Sequence, residues 1–417
     1  KNKKSKKYNN SQKKNKIVKV VPITVDSKRK PIGGRIYILY TGGTIGMIHS
    51  DNDGLVPIKG NLIKLMKRLN IDVQLNVEYV IESIPHLIDS SNLQTSKWKV
   101  ILEKLTINRN NYDSFIILHG TDTLAYTAAA LSFFLRDWNK SVIITGSQIP
   151  LFEFRNDATR NVIDSIIISL LKIPEVMIVF GGTILRGNCA TKISSTSFDA
   201  FGSPNLGAIG NIGVHINIFK NKLQNKTFGS NIPNINVSGD LMNEGKLRAK
   251  LETTSWSLND WKPGINIETI TLLPEKNTPM LKAAIDLKPN AIIIRSYGIG
   301  NAPMGDDDFV KQLKLGIKKN IIIVNTTQCL NGGVNMDYYR TGRYLKELGV
   351  IGCQDMTLEA IFTKLYYLFQ IIGQDKINIP IIKELFQIDL AGEITVNQYD
   401  INVRNYLINY FNIYQEL

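Results

Sequence analysis

Residues 37–50, YILYTGGTIGMIHS, run from an apolar stretch into a turn with two adjacent glycines and a threonine on either side. Extended back to Arg35, RIYILY reads as a buried strand. The turn lacks the G-x-G-x-x-G spacing, and no Lys follows it in the manner of a P-loop, so a dinucleotide or phosphate cradle is unsupported. Gly42 and Gly43 at a strand end let backbone come close to a ligand and hold the Thr44 hydroxyl clear of the sheet. Glycines also fill strand-to-helix turns for packing alone, and FGGTILRG at 180–187 repeats the local pattern. From this stretch alone, a seat for a reactive hydroxyl and a plain turn both stand.

Working outward, the rhythm recurs. VEYVIES, FIILHG, SVIITGS and VMIVFGG read as strands. GNLIKLMKRLN, TSKWKVILEKLTIN, TLAYTAAALSFFLRD and ATRNVIDSIIISLLK read as helices between them. Ile/Val/Leu strands alternating with helices predict an α/β, Rossmann-like domain whose parallel-rich sheet is covered on both faces. Ligands of such sheets sit beyond the strand carboxyl ends, where the winding direction switches. Residues 218–265 are rich in turn residues and break the pattern; AIIIRSYGIGNAP, NIIIVNTTQCLNGG and TLEAIFTKLYYLFQII then rebuild it. The expected organisation is a flexible basic tail over 1–34, an N-terminal domain over 35–230, a connection over 231–274 and a smaller C-terminal α/β domain over 275–417.

A length of 417 residues exceeds one ordinary core, and 43% apolar with 21% charged residues describes a soluble globular chain. The net charge of +14 suggests nucleic acid until it is mapped: residues 1–30 hold 11 Lys and Arg29 against Asp26, so the rest of the chain is nearly neutral. The tail is an electrostatic arm for RNA or an anionic membrane, or a solvated Lys/Asn-rich extension; the second reading is the simpler one. Cys189, Cys329 and Cys353 show no paired spacing, which predicts a reducing, cytoplasmic setting. The chain begins with Lys rather than Met, so what precedes it is open. The most apolar region, 161–180, is broken by Asp164, Lys172 and Glu175, and no membrane span is expected.

Two further segments carry chemistry. ILHGTDTLAYTAAALSFF, 117–134, sets Thr121 and Asp122 just past a strand, as a catalytic pair or as a helix N-cap. RGNCATKISSTSFDAFGSP, 186–204, offers Lys192 among small residues, as a base with a depressed pKa or as a solvated surface charge. Together with Thr44 they make a sensible set. A threonine nucleophile needs a base; Thr121 and Lys192 relay the proton, Asp122 orients the Lys, and N–H groups of the HGTDT turn form an oxyanion hole. His49, His86, His119 and His215 show no metal-ligand spacing, and His119 is expected to pack or hydrogen-bond at its strand end.

In order along the chain, YTGGTIGM, HGTDTLAYTAAALSF, TGSQIPLFEFRNDATRN, SFDAFGSPNLG, RSYGIGNAP and GVIGCQDMTLEA resemble the cytosolic, bacterial-type (type I) L-asparaginases of the asparaginase/glutaminase superfamily. The resemblance runs from about residue 35 to beyond 365. It implies hydrolysis of L-asparagine to L-aspartate and ammonia through an acyl-threonine, with no cofactor or metal, in a homodimer or homotetramer. It implies Thr44 as nucleophile, with Thr121, Asp122 and Lys192 activating it or the later water. Asp89 and Ser90 of IDSSN would grip the substrate's ammonium and carboxylate, an arrangement that an N-cap before LQTSKW would also produce. Gly120 and Ser147 complete the implied substrate set. Many members carry a Tyr where this chain has Leu55; Tyr339, with Tyr338 beside it, is the expected replacement. Thr191, Arg295, Asn301 and Cys329 fall where type I members bind a second asparagine allosterically. A glutamine-preferring amidohydrolase or transamidation subunit remains an alternative, although the stretch before residue 35 is short and polar for the folded domain such a subunit carries. A catalytically silent protein using the tail on RNA or membrane is the other.

Overall fold

The computed structural model describes residues 34–50, 54–57, 77–224 and 256–395, with Leu62, Met66, Lys67, Leu69, Leu75 and Leu251 between them. The basic tail, most of the helix expected at GNLIKLMKRLN, the side chains of His49 and Leu55, and most of 218–265 lie outside the described residues.

The opening strand, β1 (Arg35–Gly42), has no polar face: Ile36 to Tyr40 are each at most 1% exposed. Successive strand residues point to opposite faces. Ile36, Ile38 and Tyr40 enter one core layer, where helix α3 (Ala158–Leu170) contributes Val162 and Ile166. Tyr37 and Leu39 enter the other, under α1 (Ser96–Asn108) and α2 (Leu124–Phe134). Each such burial contributes on the order of 1.5–3 kcal/mol, so the two-sided pattern fixes β1 as a central strand.

A short hairpin, β2 (Met47–Ser50) and β3 (Gly54–Pro57), follows the TGGT turn. The chain then enters β4 (Glu78–Ile88), parallel to β1 on one side, and crosses to β5 (Ser114–Leu118), parallel to β1 on the other. β6 (Ser141–Thr145) and β7 (Val176–Phe180) continue outward in parallel. The order β4-β1-β5-β6-β7 therefore reverses direction between β1 and β5, the place where doubly wound sheets bind ligands.

The sheet departs from the expected parallel pattern after β7. β8 (Thr183–Arg186) folds back antiparallel, because Gly181 and Gly182 have φ of +58° and +76° and close a two-residue hairpin that needs positive φ at both positions. The second Gly-Gly is thus a turn. β9 (Thr191–Lys192) and β10 (Phe201–Gly202) form a separate ribbon, and β11 (Gly210–Ile212) and β12 (Ile216–Ile218) extend the antiparallel edge.

The smaller sheet, β13 (Ile267–Thr271), β14 (Ala291–Ser296), β15 (Ile322–Thr327) and β16 (Ile351–Gly352), is parallel throughout. Helices α4 (Asn277–Asp286) and α5 (Asp307–Lys318) cover one face; α7 (Leu358–Ile372) and α8 (Ile379–Gln387) cover the other. A shorter helix, α6 (Arg340–Glu347), precedes β16. The two sheets are joined by an aromatic seam in which Trp98 meets Tyr366 edge-on at 5.5 Å and Phe133 stacks on Tyr367 at 5.9 Å.

Candidate active site

Three strand ends meet at the reversal point, and glycine makes the meeting possible. Gly42 and Gly43 hold φ of +121° and +86°, values that L side chains avoid. A Cβ on Gly42 would lie 2.2 Å from the Ile88 carbonyl oxygen at the end of β4, and one on Gly43 would lie 2.3 Å from Cα of Gly120 after β5. Gly120 is in turn covered by Ser90, whose Oγ would sit 2.5 Å from a Cβ there. The next residue, Thr44, starts a 3₁₀ turn to Gly46 and stays half-buried between buried neighbours. Leu151 N–H donates to the Ile45 carbonyl at 3.1 Å, tying that turn to the loop after β6.

On the β5 side, Thr121 is buried and Asp122 is largely exposed. Lys192 reaches both from the β9–β10 ribbon: its Nζ donates to Thr121 Oγ1 at 2.9 Å and to Asp122 Oδ1 at 2.8 Å. The fold thus brings Lys192 to a pair of adjacent residues about 70 positions away, and the N-cap position of α2 falls to Thr123, which makes no side-chain cap. Thr123 Oγ1 donates to the Ser90 carbonyl at 2.8 Å, which fixes the β4 end against the HGTDT turn. Asp89 accepts from Ser91 N–H at 3.2 Å and so caps the 3₁₀ turn over Ser90–Asn92, leaving its carboxylate exposed. Ser90 is 3% exposed. Ser147, past β6, is also buried, and its hydroxyl has no partner among the described residues.

His119 packs behind this surface, as expected. Its Nδ1 lies 2.8 Å from the Gly120 carbonyl oxygen, which only accepts, so Nδ1 carries the proton. Burial pushes the imidazole down to about 4, so it is neutral and Nε2 accepts from Thr127 Oγ1 at 3.0 Å. Trp98 Nε1 completes the chain by donating to Thr127 at 3.2 Å.

Gln148 is a neighbour the sequence reading missed. Thr121 Oγ1 donates to its Oε1 at 3.5 Å, and its Nε2 donates to the Ser197 carbonyl at 3.1 Å, bridging two walls of the site. The signal available was its place directly after TGS at a strand exit beside β5.

Beyond Lys192, a cavity of about 170 Å³ is lined by Thr191, Arg295, Cys329 and Glu359 among others. Thr191 Oγ1 donates to Glu359 Oε1 at 2.7 Å, and burial pushes the Glu359 carboxyl up from its ordinary range. Glu359, on α7, was also missed. Asn301 is not in the cavity wall; its Oδ1 accepts from Thr341 Oγ1 at 2.7 Å. Tyr338 and Tyr339 are an exposed edge-on pair, 4.9 Å apart, at the start of α6, and no hydrogen bond joins either to Thr44, Thr121 or Lys192 among the described residues.

Comparison with known proteins meets this geometry. Residues 35–224 match the family model of asparaginase, N-terminal, and residues 266–386 that of the glutaminase/asparaginase C-terminal domain. L-asparaginase 1 of Escherichia coli is 36% identical over 364 residues, covering 86% of this chain and 98% of that protein. The crystal structure of L-asparaginase I from Vibrio cholerae superposes with a TM-score of 0.72 at 34% identity, over 87% of this chain and 99% of that one. The thermostable L-asparaginase from Thermococcus kodakarensis gives 0.70 at 26% identity, over 87% and 99%. With both of its domains matched and nearly the full length of these relatives covered, the chain belongs to the asparaginase family.

Proposed function

We propose that this protein hydrolyses L-asparagine to L-aspartate and ammonia through a covalent acyl-threonine. The observation that carries the reading is Lys192 holding Thr121 and Asp122 at the strand end whose Gly120 touches Gly43, the residue before Thr44. In this mechanism Thr44 Oγ attacks the side-chain amide carbon, and its proton passes toward the Thr121–Lys192 pair and on to the leaving nitrogen. N–H groups of the HGTDT turn stabilise the developing oxyanion. Ammonia departs, and a water activated by the same pair cleaves the ester, returning the proton to Thr44 and releasing aspartate.

Asp89 receives the substrate ammonium and Ser90 its carboxylate, with Gly120 and Ser147 lining the amide end. The unpartnered hydroxyl of Ser147 supports that last role, because a buried polar group left without a partner costs about 1–3 kcal/mol and a ligand atom would relieve it. Tyr339 supplies the phenol for which Leu55 has no counterpart. The cavity at Thr191, Arg295, Cys329 and Glu359 is a second amino-acid site: a guanidinium facing a carboxyl suits a zwitterion. Exposed Phe152, Phe154 and Ile193 in the loops after β6 and β9, together with Leu330, support self-association as a dimer or tetramer. Three free cysteines, two of them buried, support a cytoplasmic setting.

The test is ammonia release with L-asparagine and L-glutamine over a wide concentration range. Preference for asparagine supports this reading, and a sigmoid curve supports the second site. A preference for glutamine of tenfold or more, about 1.4 kcal/mol, would favour the glutamine-directed alternative.

A further inference from the structure

The amino-terminal end of the smaller sheet carries a feature that the asparagine chemistry does not use. Pro289 and Ile321, just ahead of β14 and β15, floor a groove of about 570 Å³ whose rim is formed by Lys288, Lys318, Lys319 and Lys376. Among the described residues no carboxylate lines it, although Asp286 and Asp375 are close in the chain. All four lysines are exposed, and none makes an ion pair among the described residues. The cavity at Arg295 lies beyond the opposite ends of the same strands, about 20 Å away by the rise of a six-residue strand.

Helix ends account for only part of this charge. α4 and α5 both terminate at the groove, where Lys288 and Asn320 take positive φ of 51° and 63° to leave the helix. Each helix end presents about half a negative charge, roughly one for the pair, against four ammonium groups. Two of the lysines would offset that; four leave an excess of positive charge around one concavity, which an anion would neutralise. The volume falls within the roughly 300–1,000 Å³ of small-ligand sites. Four lysines lining one hollow, rather than spread in a stripe, suit a compact ligand over a nucleic-acid backbone.

We propose that this groove binds a compact oligophosphate, two or more phosphate groups held by Lys288, Lys318, Lys319 and Lys376, either free or as a lipid headgroup. Lysine serves here as a mobile point charge for phosphate oxygens.

The experiment is acetylation of the full chain by limiting acetic anhydride, read lysine by lysine by mass spectrometry, with inorganic triphosphate as probe at constant ionic strength. With triphosphate at about ten times its half-saturating concentration, acetylation of the four groove lysines should fall roughly tenfold, while Lys311 on the outer face of α5 changes little. The variant Lys318→Glu/Lys376→Glu should lose protection at Lys288 and Lys319 with asparagine hydrolysis unchanged; any protection within the Lys-rich tail would persist in it. Vesicles of phosphatidylcholine with phosphatidylinositol bisphosphate form the second arm: protection there and not by triphosphate assigns the phosphates to a lipid, and the reverse to a free ligand. Protection by neither, protection that is uniform over exposed lysines, protection of Lys288 and Lys319 that survives in the variant, or protection by a single-stranded oligonucleotide alone, overturns the proposal.

Discussion

Gly43 and Gly264 both hold positive φ, +86° and +79°, yet only Gly43 is crowded, with the Gly120 backbone 2.3 Å from where a Cβ would be; nothing lies within 4 Å at Gly264. Gly264→Ala should cost only the left-handed strain, about 1–2 kcal/mol. Gly43→Ala adds a backbone overlap that must push β1 and β5 apart, so roughly 3–4 kcal/mol is expected by urea denaturation. It also moves Thr44, and a displacement of about 1 Å lowers kcat/KM by about a hundredfold. Equal destabilisation by the two substitutions would contradict the close approach. At Lys192 the expectation is the reverse. Its partner Asp122 is 57% exposed, so Lys192→Met should change stability by less than about 1 kcal/mol. Activity should nevertheless drop by about 10²–10⁴, as for loss of a proton-transfer group. A loss of stability without that drop would make Lys192 a structural residue.

Among elements, β5 shows how a strand end is held for chemistry. Trp98 of α1, Thr127 of α2 and His119 form one hydrogen-bonded chain ending on the Gly120 carbonyl. Burial lowers the His119 pKa from 6.5 to about 4. The unfolded chain then binds a proton that the folded one refuses. The contribution is complete above about pH 6.5 and is lost as pH falls toward 4, at most about 3 kcal/mol. Urea midpoints of the wild type should therefore decline across that interval more steeply than those of His119→Gln; parallel curves would mean that the imidazole is not held neutral. The strands themselves were legible because both faces of β1, β5, β6 and β7 are apolar, a pattern only a covered sheet satisfies. The reversal at β8 was not, since Gly42-Gly43 and Gly181-Gly182 look alike until the backbone facing each is known. Thr44, Thr121, Asp122 and Lys192 were singled out through their motifs, and the fold joins the last three by hydrogen bonds. Gln148 and Glu359 escaped because their roles come from packing across the chain, Glu359 meeting Thr191 over 168 residues. Asn301 was assigned by position in a motif, yet its side chain turns to Thr341 instead of the cavity.

At the scale of the whole molecule, the segment 388–395 fastens the smaller domain to the larger one. Arg186 and Asn188 donate to the Gly392 and Ala391 carbonyls, and Arg186 itself is paired with buried Glu175. Glu393 anchors the segment from inside, accepting from the N–H groups of Leu390 and Ala391 and pairing with Lys364 of α7; both side chains are 0% exposed. Lys364 and the backbone donors hold the Glu393 carboxyl below its usual range, while burial and the Glu393 charge raise its neighbour Asp389. Glu393→Gln strands a buried ammonium, and a loss of about 3–5 kcal/mol is expected; Lys364→Met/Glu393→Gln should recover part of it. A single variant within about 1 kcal/mol of the wild type would show that the clasp is not needed for stability.

The two domains also meet beside Lys192, where its neighbour Thr191 donates to Glu359 of α7, while Lys192 itself holds Thr121 and Asp122. The most direct test of that assembly is ammonia release from L-asparagine by Thr44→Ala beside the wild type, with thermal unfolding of both. If Thr44 is the nucleophile, the variant keeps its melting temperature and loses at least about three orders of magnitude in kcat. A folded Thr44→Ala protein within about tenfold of wild-type activity would contradict the account.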